Sequence, residues 1–536
     1  MILNLSSLDQ ANLGPAANGG EMELACDLCI VGSGAAGLAI AHEMRNTPLR
    51  VVLLESGGLD QEAATQALYD VEISGLPHPG ATEGRFRVFG GSTTRWGGQA
   101  LPLLPTDFEA RDWVAHSGWP LKFDDLVPFY DRAAEFLLVD RMNFESDLFP
   151  FLQTRPPEFD PRKVWYHFSK WSPQPDLRER HLPAIRSSER CTLVLHANVT
   201  KITLNENLNE VACMEVCSLE GRRACVRARA FALCVGGIET ARLLLANNRQ
   251  QPGGLGNAHD LVGRYFQDHP NIVAGWLKTS DPRHLQRLFN VFHKNRVKYS
   301  VRCTAPPQWQ REQRMLSVSM GFMFLEEGSA LQNLKEAYLA MRQGKINAGV
   351  FRKSLRAAAH PRDTLSPMWH FAVRGRSFSP HARFQVCLTC EQEPDPESRI
   401  QLSAERDPLG MPRANVRWTV TDLTWQTLLA YTKLLCEEFR RIGLGEIELE
   451  PWMHNGYHHW RDHITDQYHH MGTTRMHESP RQGVVDRHCR VHGIRNLYIG
   501  SSSVFPTSGH SNPTMTILAL CMRLADLLKQ ELGRPR

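Results

Sequence analysis

The chain has 536 residues, a hydrophobic fraction of 42 %, a charged fraction of 22 % and a formal net charge of +4. That length exceeds one ordinary hydrophobic core and points to two domains, or one large domain with insertions. The composition is that of a globular protein, and a balance so close to neutral gives no ground for nucleic acid as the main partner.

The first basic side chain is Arg45, so the N-terminus offers no basic n-region, twin-arginine signal or apolar h-region. No apolar run is long enough to cross a bilayer. The expectation is a cytoplasmic protein without membrane association. After a polar lead, residues 27–31 read as a buried strand, GSGAAGLAIAHEMRN as a loop entering a helix, and RVVLLESGG as a second strand ending in a carboxylate. Gly32, Gly34 and Gly37 form G-x-G-x-x-G between strand and helix, and Glu55 closes the next strand. The first glycine makes a tight turn, the second lets the backbone approach a pyrophosphate, and the third lets helix and strand pack closely. The helix N-terminus attracts phosphate charge, and Glu55 is placed to accept hydrogen bonds from a ribose diol. This unit predicts a dinucleotide site without separating NAD from FAD.

Further along, FRVFGGSTTRWGGQALPL (86–103) is rich in turn residues, and RACVRARAFALCVGGIETARLLLAN (223–247) reads as strand, glycine pair and helix. Basic residues outnumber acidic ones over 280–365, more often a solvated face than a surface for an anionic membrane or an electron-accepting partner, and LQNLKEAYLAMRQGKINAGVFRKSLRAAA within it has the pattern of a long helix. Residues 383–420 turn strand-like, TDLTWQTLLAYTKLLCEEFRRIG is an amphipathic helix, and the end of the chain returns to strand, loop and helix. Thirteen cysteines is an odd count, against a complete disulfide framework. The pairs Cys26/Cys29 and Cys387/Cys390 lie in strand-like runs, where an odd offset turns the two thiols to opposite faces, so structural thiols are expected rather than a metal. His454/His458 and His459/His463 have the i, i+4 spacing of zinc proteases on a helix, but both lack the glutamate of H-E-x-x-H, and no metal is expected. GHSNP is not the G-x-S-x-G of a nucleophile elbow.

YHHMGTTRM (468–476), followed by GVVDRHCRVHGIRNLYIGSSSVFPTSGHSNPTMTILALCMRLADLL, resembles the closing segment of the glucose–methanol–choline (GMC) oxidoreductases, most closely their sugar- and polyol-oxidising branch. FGGSTTRWGG, LCVGGIETARLLL, VGRYFQDHP and EQEPDPESRIQLS agree in order along the chain. The resemblance implies an α/β chain: a Rossmann-type FAD-binding domain assembled from dispersed segments (24–275 and 469–536), plus an α+β substrate-binding domain with an antiparallel sheet (276–468). It implies FAD as cofactor and oxidation of an alcohol, on a sugar, glycoside or polyol, by hydride transfer to flavin N5. His469 matches the family's catalytic histidine and Asn512 its partner position, whereas His470 matches a position without a catalytic role. Cofactor-binding positions carried over are Gly32, Gly34, Gly37, Glu55, Gly90, Gly91, Ser92, Val199, Gly236, Gly500, Ser501 and Thr514, with Gln392 as a candidate substrate contact.

These residue types suit the reaction. Taking a hydride from an alcohol carbon requires the hydroxyl proton to leave as well, and a neutral imidazole is a well-matched base. Asn can hold the substrate oxygen by donating its amide hydrogens without taking a proton. Two departures stand out. Where some members attach FAD through a histidine, this chain has S-T-T-R-W with Arg95, so non-covalent FAD is expected. Where many carry an acidic residue before S-V-F-P-T, this one has Gly500, Ser501 and Ser502. The electron acceptor is left open between oxygen, a quinone and a redox protein, and export with a partner subunit stays open too. The runners-up are oxidation of a simple aliphatic or aromatic alcohol, and flavin binding without catalysis.

Overall fold

A computed structural model describes residues 1–7, 22–326 and 361–534. The glycine-motif strand, Met22–Val31, runs through the centre of an eight-stranded sheet. Leu28 to Val31 and Val51 to Leu54 are buried at every position, the unbroken apolar run that parallel strands covered on both faces require. Met22–Val31 pairs parallel with Val51–Leu54 on one side and Arg223–Leu233 on the other. Val51–Leu54 leads on to Cys191–Leu195 and Ile2–Asn4, again parallel.

Arg223–Leu233 divides its partners. Its first residues pair antiparallel with Val211–Cys217, which pairs with Asn198–Leu204, and its last residues pair parallel with Leu497–Ile499. The registers Val31↔Leu54, Val31↔Leu233 and Leu233↔Ile499 bring four strand ends to one edge. Helices Ala35–Met44 and Gly236–Ala246 start just beyond that edge, and Thr514–Gly533 packs on Ala35–Met44. Carboxyl ends of parallel strands, with helix N-termini above them, are where open α/β sheets bind ligands.

The second eight-stranded sheet is antiparallel, in the order Glu446–Leu449, Asn271–Lys278, Arg383–Cys390, Val318–Leu325, Val297–Thr304, Trp165–Trp171, Gln99–Ala100, with Phe292–Lys294 against Val297–Thr304. Helix Asp422–Arg441 covers one face, its Phe439 ring packed on Phe159, Phe289 and Phe322. This sheet does not respect the boundary placed at 275/276 from the sequence. Asn271–Lys278 straddles it, and Gln99–Ala100 and Trp165–Trp171 join from the first half of the chain. Ladder hydrogen bonds depend on position in space rather than distance along the chain, so an edge can recruit strands from any segment. A three-stranded sheet joins Arg399–Arg406, Pro412–Arg417 and Val71–Ile73.

Among the described residues the stretch from His454 to His463 holds one 3-10 turn, Trp460–His463, and His463 stacks on Trp452 at 4.2 Å, so neither i, i+4 pair shares a helix face. The helix expected over 331–359 lies outside the described residues. Cys26 and Cys29 both sit in Met22–Val31, Cys387 and Cys390 in Arg383–Cys390, and all are unpaired thiols. No helix among the described residues is long and apolar enough to cross a membrane.

Candidate active site

A cavity of about 530 Å³ opens at the carboxyl edge of the parallel sheet and runs to His469 and Asn512. It falls within the roughly 300–1,000 Å³ of small-molecule pockets. Gly32, Gly34, Glu55, Gly91, Ser92, Gly236, Gly500, Ser501 and Thr514 line it. Gly37 does not. It is the packing glycine, where a Cβ would stand 1.9 Å from the Gly32 carbonyl oxygen. Gly90, at φ +95°, turns the chain into Gly91–Thr94 behind the cavity wall. Val199 lines a smaller cavity of about 50 Å³ that shares Gly32, Ser56, Tyr69 and Val235 with the larger one.

Glu55 caps its strand facing this space. Its Oε2 accepts from the Ser33 N–H (3.1 Å) and hydroxyl (2.5 Å), and its Oε1 from the Gly57 N–H (2.9 Å). Burial raises its carboxyl against these donors. The carboxylate therefore also closes the glycine turn, a second task the motif did not announce. Arg95 lines the cavity as well, its guanidinium donating to Gln61 Oε1 at 3.2 Å.

At the other end, His469 and His470 diverge. The His469 ring meets Asn512, with Nε2 3.1 Å from Asn512 Nδ2. The His470 ring packs against His78 and Phe266, its Nε2 buried without a hydrogen-bond partner, while its carbonyl accepts from the Ser502 hydroxyl at 2.7 Å.

Two residues not singled out from the sequence organise the base. Asp268 is fully buried, with Oδ1 accepting from the backbone N–H groups of His269 (2.6 Å) and Gln467 (3.0 Å), and Oδ2 from that of His469 (3.0 Å). His78 Nε2 stands 3.1 Å from the same Oδ2. Burial pushes this carboxyl up, but His78, with His470 and His469, holds it well below the usual carboxylate range. His78, Asp268 and His470 also offer atoms within 4.8 Å of one another, a spacing a metal could span, although three backbone donors already occupy the carboxylate.

His269 is the second. Its Nδ1 lies 2.8 Å from His469 Nδ1, and its Nε2 3.4 Å from the Ser508 carbonyl oxygen. Burial lowers His269, and burial together with His269 lowers His469 to about 3 against the pull of Asp268, so both rings are neutral near pH 7. A carbonyl only accepts, so His269 Nε2 carries the hydrogen and Nδ1 its lone pair. His469 must then donate from Nδ1, which leaves the lone pair on Nε2 beside Asn512. An accepting nitrogen beside the cavity is the result.

The loop bearing Ser508 and Asn512 is itself pinned. Thr507 donates to the Asp107 carbonyl (2.7 Å) and accepts from the Trp119 indole (2.8 Å). Gly509 has φ +53°, and a Cβ there would stand 2.4 Å from Asp107 Oδ2. Gln392 does not reach the cavity. Its Oε1 accepts from the Asp268 N–H (3.0 Å) and the Trp418 indole (2.8 Å), and its amide donates to Phe266 and Thr419 carbonyls. With every polar atom engaged in the core, Gln392 supports the Asp268 loop and is not a substrate contact.

Residues 394–521 match the family model for GMC oxidoreductase. That segment is the C-terminal domain of the GMC oxidoreductases. It is 22 % identical to the fructose dehydrogenase large subunit of Gluconobacter japonicus over 95 % of this chain and 98 % of that one. To the paromamine 6'-oxidase of Streptomyces fradiae it is 24 % identical, over 97 % and 95 %. The solved pyridoxine 4-oxidase from Mesorbium loti superposes with a TM-score of 0.57 at 17 % identity, covering 95 % of this chain and all of that one. A chain with this domain is an oxidoreductase, and FAD is the cofactor the domain implies. The cavity fits that cofactor. A Cβ on Gly34 or Gly236 would meet no protein atom within 4 Å, so both helix N-termini present bare backbone to an anionic ligand.

Proposed function

We propose that this oxidoreductase oxidises an alcohol group of a sugar, glycoside or polyol to the carbonyl, with His469 as general base and Asn512 holding the substrate oxygen. The observation that carries the reading is the pair His469 Nε2 and Asn512 Nδ2, 3.1 Å apart on the wall of the cavity that the glycine turns frame at its far end. FAD, when bound, supplies the hydride acceptor at N5. Gly32, Gly34, Gly91, Gly236 and Ser501 would hold it in a Rossmann-type domain (24–275 and 469–536), with Glu55 toward the ribose and Val199 toward the adenine end. Arg95 stands where a flavin-linking histidine would be, which supports non-covalent binding.

Asn512 donates its amide hydrogens to the substrate oxygen and so fixes the carbon's orientation, a positioning effect that removes a large entropic part of the barrier. The lone pair on His469 Nε2 takes the hydroxyl proton, and the imidazolium that forms keeps its Nδ1–H on His269, while Asp268 holds the His469 backbone N–H. The antiparallel sheet (chiefly within 276–468) closes the far side as the substrate domain. The fructose dehydrogenase and paromamine oxidase names favour polyhydroxylated substrates.

The test is anaerobic reduction of the purified yellow holoenzyme by a panel of sugars, glycosides, polyols and simple alcohols, followed visibly, with denaturation to release the flavin. Bleaching by a polyhydroxylated compound and release of free FAD are expected. A colourless protein after FAD is supplied, or bleaching by none of the panel, overturns the reading.

A further inference from the structure

The face of the antiparallel sheet that contributes Trp171 and Gln99 to the main cavity carries a cation with no carboxylate partner among the described residues. Side chains alternate along a strand and paired positions share a face. Trp171 and Gln99 line the main cavity. The register pairs Trp171 with Lys298, Ser169 with Ser300 and His167 with Arg302, so Arg302 belongs to that same face. Lys298 lies over the Trp171 ring at 4.3 Å, which confirms the alignment.

Arg302 connects through its neighbours to the loops that carry His269 and Asn512. Its Nη1 reaches Ser319 Oγ at 3.4 Å and Thr389 Oγ1 at 3.5 Å, both at the limit of a hydrogen bond. Thr389 Oγ1 also receives the Asn271 amide at 3.0 Å, two residues beyond His269. His167, opposite Arg302, touches His510 at 3.3 Å on the Asn512 loop. The guanidinium charge is among those that lower His469.

Among the described residues no carboxylate offsets this charge. The one ionisable group that would do so is the Cys387 thiol, which burial pushes up to about 11 and keeps neutral. Two other buried guanidinium groups are paired with carboxylates, Arg111 with Glu391 through two bonds (2.5 and 2.8 Å) and Arg242 with Asp407 at 2.5 Å, whereas the buried Arg475 has the Tyr265 ring and the His116 carbonyl instead. A half-buried guanidinium costs desolvation energy that two long hydroxyl contacts do not return.

We propose that Arg302 binds a carboxylate of the substrate, so that the alcohol oxidised belongs to a sugar-derived hydroxy acid, a uronic or aldonic acid, rather than to a neutral sugar. The planar guanidinium matches a carboxylate through two parallel N–H···O bonds, and a single cation balances a monoanion. A carboxylate seated there cancels a charge that lowers His469, and so strengthens the base when substrate is in place. This inference rests on the alcohol-oxidising reading above and narrows it.

The experiment is anaerobic flavin reduction of the holoenzyme by matched pairs, glucuronate against glucose and gluconate against glucitol. The acid of a pair is expected to be about 10-fold more efficient than its neutral partner, and Arg302→Met to lower that acid-to-neutral ratio about 100-fold. Arg302→Lys keeps the charge but not the fork, and is expected to fall between the two. It also carries the comparison should the methionine variant not fold. A wild-type preference for the neutral partner, or a ratio unchanged by either substitution, overturns the proposal. Reduction by neutral alcohols alone does so while leaving the alcohol-oxidising reading intact, whereas reduction by neither member of any pair nor by any alcohol of the wider panel overturns both.

Discussion

At the scale of single residues, adjacency in sequence hides opposite surroundings. His469 meets Asn512 at the cavity wall, and His470 stacks in the core against Phe266 and His78. The motif singles out His469 over His470, but not the chemical state of its ring, because that depends on His269, two hundred positions away. Nothing in the spacing of D-H-P predicts a partner so remote. The consequence is testable. His269→Ala removes the acceptor that fixes the His469 tautomer, and the flavin reduction rate is expected to fall about 10–100-fold, the usual cost of losing the group that orients a functional histidine. His269→Asn can accept at the same position through its amide oxygen and is expected to recover part of the rate. Equal loss in both variants would assign His269 a purely structural role. The acid limb of the reduction rate offers a separate check. Burial lowers His469 to about 3, so its base form persists on acidification, and the inflection is expected nearer 3 than 6.5. An inflection at the ordinary histidine value would contradict the buried, neutral base.

At the scale of elements, the glycine unit was legible because each of its glycines has a local reason. Gly32 turns, Gly34 leaves room, and Gly37 packs. The 508–512 loop was legible only as a motif. Its shape comes from contacts with Asp107 and Trp119, which no local pattern reveals. Gly509→Ala puts a Cβ 2.4 Å from Asp107 Oδ2 at φ +53° and is expected to cost about 1–3 kcal/mol. A lower thermal midpoint together with slower flavin reduction would show the strain reaching Asn512, whereas an unchanged midpoint would mean the loop relaxes freely. Gln392 is the opposite lesson. A polar residue in a strand-to-turn segment reads as available for substrate, yet five hydrogen-bond partners absorb its amide in the core.

At the scale of the whole molecule, the parallel sheet draws Ile2–Asn4, Met22–Val31, Arg223–Leu233 and Leu497–Ile499 together, and the antiparallel sheet takes Gln99–Ala100 and Trp165–Trp171 from the other part of the chain. Dispersal was readable from the scattered glycine motifs. The exchange of strands was not, because an alternating strand pattern states which face is buried and says nothing of its partner. The joint between the sheets is lined by neutral histidines. His167 and His469 are lowered to about 3, and His470 and His510 are held well below 6.5, all chiefly by burial. Below pH 6.5 the unfolded chain binds protons that the folded one refuses, so stability falls as pH drops toward 3. Each such histidine contributes about 1.4 kcal/mol per pH unit. The thermal midpoint is expected to decline steadily between pH 6.5 and 4, and a midpoint flat across that window would contradict the neutral cluster.

The most direct test of the central claim is the single-turnover rate of flavin reduction in His469→Ala against wild type, with the best alcohol of the panel and matched FAD content. The account predicts a loss of about 10²–10⁴-fold, with the flavin still bound and its spectrum little changed. A variant that reduces its flavin at the wild-type rate would show that the proton leaves by another route and that His469 is not the base.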